Sequence, residues 1–176
     1  PRRAAHAEAP RHMRHLLGSP PFVVAVLASL TSYSAMSLIM TATPISMHVV
    51  DGLPLEDTKR VITAHVLAMY LPSLASGVLL QRLGLERMMV LGVLCMLACV
   101  VVAVTVDHHF AHYFGGLALL GIGWNFLFVA GTALLTSTCA AADRFRAQGF
   151  NDLVTFGSQA VASLLAGTAL QSLGWG

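Results

Sequence analysis

Three sets of residues carry side chains able to do chemistry inside otherwise apolar sequence. The first is a stripe, Ser29, Tyr33, Met36, Met40, Thr43 and Met47, recurring every three or four positions. On a helix that spacing gathers them on one face. Thr41 and Pro44 lie beside it, and Pro44 has no N–H to offer the Met40 carbonyl. Turned toward water or a solute, this face of hydroxyls, thioethers and one phenol suits a flat or amphipathic organic molecule. Turned toward another helix, it is ordinary packing, with Ser and Thr bonding to backbone. The second set is Trp124 and Asn125, in the middle of a long apolar run. An amide in hydrocarbon needs partners, because an unpaired one is costly to bury. The third is His65, one turn inside an apolar segment. It is either a proton carrier or ligand contact, or a hydrogen-bonded histidine near an interface.

Other chemistry has little footing. Cys95 and Cys99 are one helical turn apart in apolar surroundings, and Cys139 stands alone. No Cys-His set has zinc spacing, so the cysteines read as packing and no metal is expected. His48 and His65 form one pair at similar depth, but haem b ligation lacks an inner pair, and no cofactor is expected. No nucleophile-base set or phosphate loop points to an enzyme. The net charge of +2 argues against nucleic acid as a partner.

The elements that must position these residues follow from composition. The chain has 176 residues, 56% hydrophobic and 10% charged, with a mean hydropathy of +0.74. Soluble domains carry about 25% charged residues, so lipid is the expected solvent. A membrane helix needs about 20 mainly apolar residues. Five segments meet this, near 21–49, 61–80, 88–106, 110–138 and 150–173, and Asp152 is the one formal charge inside them. Short connections, 51–60, 81–87, 107–109 and 139–149, predict antiparallel neighbours in an all-α bundle. Residues 1–20 read as a basic segment ahead of the bundle at 21–176. The start at Pro1 and the stop at Gly176 read as cuts in a longer chain.

Arginine and lysine near the ends of the segments set the orientation. Arg2, Arg3, Arg11, Arg14, Arg82, Arg87, Arg144 and Arg146 fall on one side, Lys59 and Arg60 on the other. The first side is therefore expected in the cytoplasm, together with the N-terminal segment. That side includes the polar knot "SGVLLQRLGLERM" at 76–88. In it Gly77 permits close helix approach, Gly84 permits a sharp turn, and Arg82 and Arg87 sit at the membrane surface. As a minimum the knot is a hairpin that turns the chain around.

The spacing of Gly77, Arg82, Gly84 and Arg87 resembles the signature loop of the major facilitator superfamily, which joins the second and third helices of each six-helix half. Gln81 stands where the stronger copy has aspartate, which implies the degenerate copy of the C-terminal half. "MSLIMTATPISMHVV" resembles a seventh helix, "GIGWNFLFVAGTALL" a tenth and "FRAQGFNDLVTFGSQAVASLLAG" an eleventh. The resemblance covers residues 21–175. It implies five transmembrane helices, seven to eleven, of an incomplete half, and a multi-pass protein of a bacterial inner membrane.

The implied activity is secondary active transport of a small organic solute by alternating access. The implied partners are membrane lipid and the N-terminal half of the same transporter, or a membrane complex. In the family, helices seven and ten are cavity walls, which makes Tyr33, Met36, Met40, Thr43, Trp124, Asn125 and His65 the candidate solute contacts. Gly77, Gln81, Arg82, Gly84 and Arg87 form the conformational loop, with Asp152 as a candidate partner of its arginines. Gly115, Gly116, Gly121, Gly123, Gly157 and Gly167 are expected to let helices pack closely. The alternative is a non-transporting membrane subunit derived from a transporter half.

Overall fold

The computed structural model describes residues 13–105 and 109–173. The arginines of the first twelve positions, Asp107 and His108 lie outside the described residues. A short helix, α1 (Met13–Leu17), leads into α2 (Pro20–Ile45), which ends in a wider π turn at Ser46–Val50. Helix α3 (Leu55–Tyr70) runs through a tighter 3-10 stretch, Leu71–Ala75, into α4 (Ser76–Thr105). Helix α5 (Phe110–Thr138) and, after a 3-10 turn at Ala141–Asp143, helix α6 (Arg144–Leu173) complete the chain. No strand occurs among the described residues.

Local chemistry sets the boundaries. Pro20 and Pro21 open α2, where their missing N–H groups cost nothing. Pro44 interrupts the ladder near the other end of α2, and the register then loosens, with the Asp51 N–H reaching the Ser46 carbonyl. The chain turns at Gly52 (φ 67°), and α3 begins with Glu56 and Asp57 in its first turn, where the helix dipole favours acids. That start is six residues earlier than the apolar pattern suggests, because the turn beginning α3 is charged. Pro72 causes the tightening after Tyr70.

At Gly84 the backbone takes φ 78°, ψ 166°, a conformation open essentially to glycine alone. Helical turns continue to either side of it, so the expected 81–87 loop shrinks to one residue. The chain reverses there. Residues 65 to 73, in α3 and the 3-10 stretch after it, meet 117 to 125 of α5 in parallel, while Gly92 and Val102 of α4 meet Leu127 and Gly116 in antiparallel order. Three stretches, 20–50, 55–105 and 110–138, are long and apolar enough to cross a membrane, the second being a hairpin about Gly84. Helix α6 has similar length, 30 residues, but carries Gln148, Asn151, Asp152 and Gln159 along it.

Helix α5 is the centre of the bundle, packed on α2, α3 and α4, and α6 packs on α2. Glycines of α5 permit three crossings. A Cβ at Gly121 would stand 2.7 Å from the His65 carbonyl oxygen of α3, and one at Gly123 2.8 Å from the Gly92 carbonyl oxygen of α4. At Gly131 a Cβ would stand 3.3 Å from the Ala28 Cβ of α2. Four expected close approaches are absent: Cβ positions at Gly77, Gly115, Gly157 and Gly167 meet nothing within 4 Å. Those glycines lie on helix faces that no other described element covers.

Helix α1 is part of the bundle. Its Leu16 is buried with Phe22, Leu135 and Ala147, so packing begins ahead of residue 21. Beyond the hairpin, from Val90 to Val104, the outward face of α4 is apolar, with Val90, Val93, Leu94, Leu97, Val101 and Val104 exposed, as a lipid-facing surface should be.

Candidate functional site

The side chains most able to hold a solute gather where α2, α3, α5 and α6 meet. Tyr33 of α2 sits edge-on to Trp124 and Phe128 of α5, with ring centroids 5.2 and 5.8 Å away, and to Phe156 of α6 at 5.7 Å. Trp124 and Phe128, one turn apart, stack at 5.0 Å with planes 13° apart. Tyr70 of α3 closes the group, 6.2 Å from Trp124. Trp124 is buried, but Tyr70 and Phe156 are 59% and 54% exposed, so the cluster presents aromatic faces outward.

Polar groups frame the rings. Ser34 donates to Ser158 at 2.9 Å, and Thr41 and Ser163 share a hydrogen bond of 3.1 Å, both between α2 and α6. Gln148 donates to Asp152 at 2.7 Å, one and two turns before Phe156. A surface that mixes carboxylate, amide and open aromatic faces is costly against lipid. It belongs on a water-filled cavity or against other protein, whereas the α4 face belongs in lipid.

The other candidate residues divide by burial. Met36 is half-buried against the cluster that holds Trp124, and Met40 against the one that holds Met47 and Tyr113. Thr43 is fully buried and its hydroxyl donates to the Ile39 carbonyl of its own helix, which removes it from the open surface. The stripe on α2 is therefore one face, as its spacing requires, but Ser29, Thr43 and Met47 are interior and only its middle is accessible.

Asn125 is 1% exposed and bridges helices. Its Nδ2 donates to the Met69 carbonyl at 2.7 Å and to the Ser73 hydroxyl at 2.5 Å. Pro72 has no N–H to offer a carbonyl one turn before it, and Asn125 supplies a donor to that of Met69. His65 is likewise buried, its Nδ1 donating to the Leu117 carbonyl at 2.8 Å, beside the Gly121 crossing. Both make interhelical bonds in this structure. His112 is buried against Tyr113, with ring centroids 4.9 Å apart.

The hairpin residues Gln81, Arg82, Gly84 and Arg87 are exposed, and Gly77 is exposed on the helix before them. Arg82, Gly84, Glu86 and Arg87 line an open groove of about 810 Å³ with Pro20, Pro21 and Leu134, at the end of the bundle where α2 starts and α5 finishes. Neither arginine pairs with Asp152, which is bonded by Gln148. The reason is the early start of α6. Arg144 opens it, which lifts Asp152 two turns into the bundle on the side of α2, whereas the hairpin belongs to α4 on the side of α5.

Tyr70, Phe128, Phe156 and Gln148 were not among the sequence candidates. The i, i+4 pairs Trp124–Phe128 and Asp152–Phe156 are visible in the sequence, but which helices bring them to Tyr33 is not.

Comparison with known proteins agrees with this architecture. The model of the Major Facilitator Superfamily matches residues 25–176. A riboflavin transporter of Brucella anthropi, RfnT, is 40% identical over 165 residues, 94% of this chain and 41% of that protein. An uncharacterized MFS-type transporter of Bacillus subtilis, YdeG, is 35% identical over 163 residues, 92% of this chain and 37% of that protein. The chain thus spans about two fifths of the length of these relatives. No solved structure matches it. With apolar helices that reverse at Gly84, an α5 hub and a family match over nearly its whole length, this multi-pass membrane chain belongs to the major facilitator superfamily.

Proposed function

We propose that the chain is the C-terminal half, helices seven to eleven, of a secondary active transporter that moves a flat, partly aromatic organic solute across a bacterial plasma membrane by alternating access. The N-terminal segment and the Gly84 hairpin lie in the cytoplasm, on the side where the arginines collect. The carrying observation is the five-ring surface of Tyr33, Tyr70, Trp124, Phe128 and Phe156, drawn from four helices and open on one side. Each additional ring stack contributes about 0.5–1.5 kcal/mol beyond area burial. Such a surface favours planar solutes over flexible or purely charged ones. The similarity to a riboflavin transporter supports a flavin as the first solute to try.

The hairpin serves the conformational cycle. Gly84 is a one-residue joint between two rigid helical arms, and Arg82 and Arg87 stand free to bond carbonyls or lipid as the halves rock. The test is uptake of riboflavin by a bacterium that can neither make nor import it, carrying the intact protein. Growth on low riboflavin is expected. Phe156→Ala, which removes an exposed ring, should weaken riboflavin binding by about twofold to tenfold, the equivalent of one lost stack. No uptake of any planar aromatic solute, with the protein present in the membrane, would overturn the reading.

A further inference from the structure

Asp152 is a carboxylate within a membrane-length helix, and the transport reading does not use it. It lies on α6 one turn before Phe156, so both project from the same side of the helix. Phe156 is in ring contact with Tyr33, their centroids 5.7 Å apart, which sets Asp152 one helical turn from the aromatic cluster. Gln148, a further turn along, donates to Asp152 Oδ1 at 2.7 Å. Asp152 is therefore oriented by a neutral amide, not neutralised by a cation, and its second oxygen is left for an outside donor.

An ionised side chain within a membrane-length helix is costly and rare, and where it occurs it faces the interior or a polar cavity. Neither Arg82 nor Arg87 compensates it, since their groove is at the hairpin. Gln148, Asp152 and Phe156 form a strip leading away from the rings along about two turns of α6, roughly 11 Å. The strip joins an aromatic platform to a pair of hydrogen-bond acceptors spaced along one direction.

We infer that Asp152, oriented by Gln148, anchors the hydroxyl groups of a polyhydroxy tail on a solute whose flat ring lies on the Tyr33–Phe128–Phe156 surface. This rests on the aromatic-solute reading above and adds the second half of the ligand: a planar ring carrying a flexible chain of hydroxyl donors. Asp152 contributes selectivity among planar solutes, and the rings contribute affinity for the planar part.

The test measures binding of two probes to the intact purified protein by quenching of flavin fluorescence. Riboflavin carries the ring and a polyhydroxy chain; lumiflavin carries the same ring with a methyl group in place of the chain. Asp152→Leu should weaken riboflavin about tenfold or more, the loss of a charge-assisted hydrogen bond, and change lumiflavin less than about twofold. Asp152→Asn keeps the shape and an oxygen for Gln148, guarding against misfolding, and should show the same selectivity at smaller size. Equal weakening of both probes by both variants, or no weakening of either, overturns the anchor. If Phe156→Ala weakens both probes while the Asp152 variants weaken neither, the anchor falls and the aromatic reading stands. Wild-type protein that binds neither probe overturns both.

Discussion

The crossing of α3 and α5 at Gly121 permits a test in which two glycines of one helix should respond with opposite sign. A Cβ at Gly121 would lie 2.7 Å from the His65 carbonyl oxygen, 2.9 Å from the Ala68 Cβ and 3.1 Å from the Met69 nitrogen. Two of these are backbone atoms, which cannot rotate away. Ordinary contact begins at 3.4 Å, so α3 must withdraw by roughly 0.7 Å, the difference between 3.4 and 2.7. A withdrawal of that size stretches the Asn125–Met69 bond from 2.7 Å to about 3.4 Å, past useful hydrogen-bonding distance. Overpacking of this kind costs about 1–3 kcal/mol, and a weakened interhelical bond adds about 0.6 kcal/mol. The helix propensity of alanine over glycine returns about 0.5–1 kcal/mol.

Gly121→Ala should therefore destabilise by about 1–3 kcal/mol. Gly115→Ala, six residues earlier with nothing within 4 Å of its Cβ, should keep only the propensity gain. Melting of the intact protein in detergent, followed by a thiol-reactive dye that reports exposure of buried Cys99, reads both. At roughly 2–4 °C per kcal/mol, Gly121→Ala should melt several degrees lower and Gly115→Ala no lower than wild type. If the two variants shift together, the glycine crossing is not what holds α3 to α5.

Three further outcomes are expected. Gly84→Ala should destabilise by about 1–3 kcal/mol, since no other residue readily adopts its backbone angles, whereas Gly77→Ala should lose nothing; equal melting of the two would remove the joint at Gly84. Asn125→Leu should cost about 0.6–1.7 kcal/mol by orphaning the Met69 carbonyl, and Ser73→Ala, which spares that bond, should cost less in the same assay. Arg82→Ala should lower the rate of uptake with the amount of protein in the membrane unchanged, and wild-type uptake would refute a conformational role for the hairpin.

The sequence by itself determined the solvent, the helices and the family. Scarce charge and long apolar runs act locally, through the cost of leaving polar groups in lipid, so each segment announces its environment without reference to its neighbours. Gly84 was legible for the same reason: a reversal between two apolar segments calls for a residue without a Cβ. Boundaries shifted where polar residues helped build a helix, at Leu55 and Arg144, because hydropathy sees the membrane and not the hydrogen-bond ladder.

Only the tertiary structure decided what each polar side chain does. Asn125 and His65 look the same in sequence whether they face a solute or a neighbouring helix. The structure gives each a bond to a backbone carbonyl of a neighbouring helix, Asn125 to Met69 and His65 to Leu117, beside the close α3–α5 crossing. Tyr33, Tyr70, Trp124, Phe128 and Phe156 are spread over more than a hundred positions, and helical periodicity fixes a face without naming its partner. Which faces meet depends on how glycines let helices cross, a property of pairs of surfaces that no single segment carries. The same holds for Asp152: its spacing from Phe156 was in the sequence, and its separation from Arg82 came from α6 packing on α2 while the hairpin packs on α5.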